Sequence, residues 1–291
     1  MRILIRKLLS KVLSKKLKSK IKEFEYKNKK KLIDRLPPLN EENLKTIFTD
    51  KLGIKKGDHL FIHGSMDMIN TEISPLKMLE MLLDIVGDDG SISVPTFIRY
   101  SSKEWMHMNK QFDIKKTPSG MGIFSERVRR YKLAKRSLHP TKSVATIGEI
   151  AEDILSEHHL DIYQFGSKSP FVKLLNYNVK VIGLGSPMSY LSMVHTVEDI
   201  CPNEYPKKIN EDVVYGKVCI DENKNEIVVK TLVHDLQAIA KANPEKFVKK
   251  YMNKDDYVIY NHYLTPFFMV KGKELFQELE KQMRLENTIY D

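Results

Sequence analysis

The chain has 291 residues, 42% of them hydrophobic, enough for one large domain or two small ones. Two cysteines are too few for a disulfide framework, no apolar run approaches the ~18 residues of a membrane span, and with no signal peptide a cytoplasmic setting is expected. The net charge of +10 sits at one end: residues 1–35 hold 14 Lys and Arg against 3 Asp and Glu, a local +11, which leaves the body at −1 and argues against nucleic acid as a partner.

In "MRILIRKLLSKVLSKKLKSKIKEF", Ile5, Leu9, Val12, Leu13, Leu17, Ile21 and Phe24 recur at helical spacing, with lysines elsewhere. Such a helix can lie on an anionic membrane face, pack on its own domain, or stay solvated; peripheral contact with the inner membrane face through residues 1–35 is therefore one expectation. "RLPPLN" at 35–40 breaks it, dividing a basic helical extension, 1–38, from a single domain, 39–291.

Asn40 then reads as an N-cap followed by Glu41 and Glu42, while Asn43 stands where a capping box wants Glu or Gln, so the fuller motif is not expected. "GDHLFIHGS" reads as a turn and a buried strand ending near His63. "SPLKMLEMLLDIVG" has Ser74 as cap, Pro75 at the first helical position and Gly87 as stop. "DDGSISVPTF" gives a second strand ending at Pro95 and Thr96. "RSLHPTKSVATIG", 136–148, holds neither period, and Pro140 favours an extended backbone at His139. "PFVKLLNYNVKVIGLGS" gives a short helix, a turn and a third strand; "VVYGKVCIDENKNEIVVKT" is a hairpin turning at Asn223–Asn225; "GKELFQELEKQMRLE" is a closing helix. Strands alternating with helices are α/β logic, and ligands in such folds gather beyond the strand ends. His63, Ser65, Thr96 and the "HPTKS" segment are thus candidates for one crevice.

These stretches, in this order, resemble the aminoglycoside 3-N-acetyltransferase family, also called antibiotic N-acetyltransferase or YokD-like, from about residue 40 onward. "GIKKGDHLFIHGSMDMI" resembles its opening strand and His-Ser-Ser turn, with Gly64 in place of the first serine. "GDDGSISVPTF", "RSLHPTKSVATIG", "FGSKSPFVKLL", "VIGLGS" and "SMVHTVED" resemble its further signatures. The resemblance implies a three-layer α/β sandwich with a mixed central sheet, distinct from the GNAT fold, and transfer of an acetyl group from acetyl-CoA to an amine. It further implies that His63, Gly64, Ser65, Thr96, His139, Thr141, Ser143 and Val144 line the acetyl-CoA site, the extended "HPTKS" backbone facing the pantetheine arm.

An amine attacks a thioester only when neutral, so a base is needed, and the tetrahedral intermediate needs preorganised donors. His195 matches the family's active-site histidine, and in a helical segment Glu198 shares its face and can orient the ring. No metal is expected: His158 and His159 are adjacent and do not converge on one ion. The loop 98–116 carries Lys103, Lys110, Lys115 and Lys116, and "SPMSYLSMV" exceeds the family's loop by about two residues. This basic rim and the basic helix favour an anionic amino-sugar acceptor of surface-polysaccharide biosynthesis. The alternatives are an aminoglycoside antibiotic as acceptor, a peripheral membrane protein with a degenerate enzyme domain, or a hydrolase, for which no Gly-x-Ser-x-Gly elbow exists.

Overall fold

The computed structural model describes residues 15–291. Most of the expected basic stripe, from Ile5 to Leu13, lies outside the described residues; its C-terminal part forms a helix, Lys15–Ile33. Ten strands follow: β1 His59–Gly64, β2 Ser91–Pro95, β3 Phe112–Asp113, β4 Lys135–Arg136, β5 Val144–Ile147, β6 Lys180–Leu184, β7 Tyr215–Ile220, β8 Glu226–Thr231, β9 Tyr257–His262 and β10 Thr265–Lys271. Seven form the central sheet in the order β4-β5-β2-β1-β6-β10-β9, and β3-β7-β8 form a second, small sheet. β2, β1 and β6 are parallel, whereas β5 and β10 run antiparallel to them on either side, so the sheet is mixed.

Alternation along the strands makes three layers. Leu60, Ile62, Ile182 and Leu184 face one side, against Phe48, Leu79, Leu82 and Phe124 from the helices Glu41–Thr46 with its π-turn, Pro75–Val86 and Ile123–Arg129. Phe61, Val181, Phe268 and Val270 face the other, against Phe171, Val197, Phe247 and Leu279 from the helices Pro170–Lys173, Thr196–Ile200, Pro244–Tyr251 and Gly272–Arg284. The fold is the α/β sandwich that the sequence implied.

Local signals account for the helix bounds. Ser74 accepts from the Lys77 amide, Pro75 opens the helix, and Gly87, at φ +65°, ends it. Two expectations are corrected. Asn40 and Asn43 do form a capping box, because the Asn43 amide oxygen reaches the Asn40 N–H as a glutamate would. The "HPTKS" run is not extended throughout: it turns at Pro140–Lys142 and connects β4 to β5 as antiparallel neighbours. The turn closes because His139 Nδ1 accepts from the amides of Thr141 and Lys142, at 3.3 and 3.0 Å.

Candidate active site

The parallel strands β1, β2 and β6 end together at Gly64, Pro95 and Leu184, and a cavity of about 800 Å³ opens beyond them. His63, Gly64 and Ser65 line it, with Pro95, Gly122 and Ser186. Its charged lining is Glu25, Asp67 and Lys29, two of which come from the Lys15–Ile33 helix. Gly64 has a packing reason: a Cβ there would stand 2.8 Å from Phe124 Cδ1, so Phe124 fills the space a serine would need. His63 is buried, and desolvation drives its pKa down to about 3, so it is neutral. Its Nε2 faces the Ser192 N–H and hydroxyl, both at 3.4 Å.

Ser192 begins a 3₁₀ turn, Ser192–His195, that runs directly into the helix Thr196–Ile200. This places Glu198 under His195: His195 Nδ1 lies 2.8 Å from Glu198 Oε2. The Glu198 side chain has no exposed surface, whereas the His195 side chain is 17% exposed. Glu198 Oε1 accepts from the Tyr290 hydroxyl at 2.7 Å. Burial and Glu198 together push the hydroxyl pKa values of Tyr290 and Tyr205 well above the usual tyrosine range, so both remain donors. The carboxylate is therefore fixed from two sides and in turn fixes the imidazole, leaving Nε2 of His195 as its working nitrogen.

A second carboxylate–histidine pair adjoins the first. Asp199 faces His234 Nε2 at 3.3 Å and accepts from the Asn210 side chain and the Phe165 amide. Burial would raise the Asp199 carboxyl, but His234 and these hydrogen bonds prevail and hold it low. The His234 ring meets His195 edge-on at 5.1 Å, and Phe165 packs on both. Lys142 lies 4.5 Å from the Phe97 ring centroid and 5.9 Å from that of Phe165; desolvation, partly opposed by Asp199, lowers its ammonium to about 8.

The remaining candidates are placed otherwise. Thr96 and Ser143 are buried away from the cavity lining, their hydroxyls 3.0 Å apart and each 3.1 Å from Arg136 Nε. They seat a buried guanidinium that also donates to the carbonyls of Thr96, Ile114 and Thr117. Thr141 accepts from Gln164, Val144 packs in the core, and His139 stacks on His158 at 4.3 Å. The lysines of loop 98–116 do not line the cavity: Lys103 pairs with Glu211, Lys116 with Asp113, and Lys115 donates to the Glu222 carbonyl.

No local sequence pattern marks His234, Asp199, Tyr290 or Lys142 as part of the site. Nor does one mark a geometric fact about metals: His195, Glu198 and His234 bring ligand atoms within 4.8 Å of one another, a group able to hold an ion. In the structure His195 hydrogen-bonds Glu198 through Nδ1, and His234 hydrogen-bonds Asp199 through Nε2.

The layered sheet with this site beyond its parallel strands is the architecture of the antibiotic acetyltransferases. The aminoglycoside acetyltransferase AAC(3)-Xa superposes with a TM-score of 0.72 at 19% identity, over 92% of this chain and 98% of that one. The structure of AAC-IIIb with CoASH gives 0.68 at 19%, over 85% and 98%. The model of the family described as aminoglycoside 3-N-acetyltransferase matches residues 61–283, and the chain belongs to that family. Aminoglycoside N(3)-acetyltransferase IX of Micromonospora chalcea is 27% identical over 177 residues, 55% of this chain. That match spans 62% of the relative's own length.

Proposed function

We propose that the protein transfers the acetyl group of acetyl-CoA to an amine of an amino sugar, with an aminoglycoside as the acceptor class. The observation that carries this is the His195–Glu198–Tyr290 arrangement: a partly exposed imidazole held by a buried, doubly anchored carboxylate. His195 Nε2 takes the proton as the amine nitrogen attacks the thioester carbonyl carbon. A C–N bond forms, the C–S bond breaks, and the leaving thiolate recovers the proton. His234 packs edge-on against the reacting imidazole and limits its tilt. The pantetheine arm runs beside Gly64, Ser65 and Gly122, where backbone without bulky side chains lines the cavity. Thr96, His139, Thr141, Ser143 and Val144 act as the scaffold under that site.

The aminoglycoside class is favoured over a surface-polysaccharide acceptor on three grounds. The relatives are named for aminoglycoside N(3)-acetylation, and the loop lysines that argued for an anion lie outside the cavity lining, Lys103 and Lys116 in ion pairs. Glu25 and Asp67 in the cavity wall suit a cationic acceptor. The test is thiol release from acetyl-CoA with gentamicin-type and sisomicin-type acceptors, with product mass read in parallel. Acceptor-dependent thiol release and a mono-acetylated product support the reading. Release that is no faster with any aminoglycoside than without one overturns the acceptor class.

A further inference from the structure

The Lys15–Ile33 helix has two dissimilar faces. At about 100° per residue, Tyr26, Lys29 and Ile33 share one side. Ile33 is fully buried, Tyr26 and Lys29 line the cavity, and the Tyr26 hydroxyl meets Asp67 and Ser65. Leu17, Ile21, Phe24 and Leu32 fall within about 80° of one another, centred about 130° round the helix from that side. They are 44%, 40%, 65% and 51% exposed. Lys20, Lys27 and Lys31 flank them and are exposed. Acidic side chains are few here: Glu23 pairs with Lys27, Asp34 with Lys30, and Glu25 lies toward the cavity.

The sequence expectation of one amphipathic stripe thus resolves into an apolar stripe turned away from the domain and a second face built into it. We propose that the outward face docks on an anionic lipid surface while the inward face stays in place as a wall of the cavity. Charge decides the occupant: the +11 carried by residues 1–35 complements anionic headgroups and repels a second copy of itself. Residues 1–14, which complete the basic run in sequence, lie outside the described residues. Docking in this way holds the cavity mouth close to the headgroups. The inference stands independently of the reaction proposed above, since its readout is binding.

The test is co-sedimentation of the full-length protein with vesicles of phosphatidylcholine alone and of phosphatidylcholine mixed with phosphatidylglycerol. The wild type is expected to sediment with the mixed vesicles at low salt, to be released at about 1 M salt, and to ignore the neutral ones. The variant Ile21→Asp/Phe24→Asp keeps the wild-type melting curve, because both side chains point outward, and loses about tenfold or more of the bound fraction. Three results overturn the proposal: a wild type that ignores mixed vesicles, equal binding to neutral vesicles, or a variant that binds as the wild type does. A wild-type dimer in solution that this variant dissociates assigns the face to a second copy and overturns it as well.

Discussion

His63 and His158 are buried at opposite ends of the same logic: desolvation penalises the imidazolium, and each is held near a pKa of about 3. His158 donates from Nε2 to the Gln164 carbonyl and accepts from the Ser137 hydroxyl, which works only for the neutral ring. In the unfolded chain both titrate near the ordinary histidine value of ~6.5. Between about pH 6.5 and 3 the unfolded state therefore binds more protons than the folded one. Their contribution to stability is complete above the unfolded value and is lost as the pH falls, by up to about 1.4 kcal/mol per pH unit for each ring. Urea unfolding midpoints measured from pH 7 to 4.5 should drop for the wild type, and drop less steeply for His63→Gln. Parallel slopes for the two proteins would contradict the burial argument, whatever the variant's absolute stability.

Short elements carry the site, and what makes each legible in sequence is its range. The helix after Ser74 is written in neighbouring residues, cap, proline and glycine, and it folds as written. His195 and Glu198 are three apart, so helical spacing alone brings them together, and they meet at 2.8 Å. His234 reaches Asp199 across 35 positions and Tyr290 reaches Glu198 across 92; no local pattern announces either contact. The β9–β10 hairpin escaped for a related reason: Pro266 weakens a strand reading, yet it pairs with Asn261 beside the edge of the sheet. The turn after β1 shows how packing writes sequence. Gly64→Ser forces a side chain into Phe124 and should destabilise the protein by about 1–3 kcal/mol, an overpacking cost. Phe124→Leu in the same chain should recover part of that loss, measured by chemical denaturation. A Gly64→Ser protein as stable as the wild type would show that Phe124 moves aside freely.

At the scale of the whole molecule, one sheet brings distant parts of the chain to a single crevice. β1 and β6 deliver His63 and Ser186 to the cavity, Ser192 at the start of the His195 turn meets His63, and Tyr290 from the end of the described chain locks Glu198 under His195. The helix before the family-matched region closes the same cavity from outside, so extension and domain share one surface. We propose that Glu198, anchored by Tyr290, makes His195 the base for acetyl transfer. Steady-state turnover of acetyl-CoA with an aminoglycoside acceptor, compared between wild type and His195→Ala, tests it most directly. His195→Ala is expected to lose about 10²–10⁴-fold in kcat, with acetyl-CoA binding retained and the acidic fall-off of the wild-type pH profile gone. Turnover by His195→Ala close to that of the wild type would contradict it.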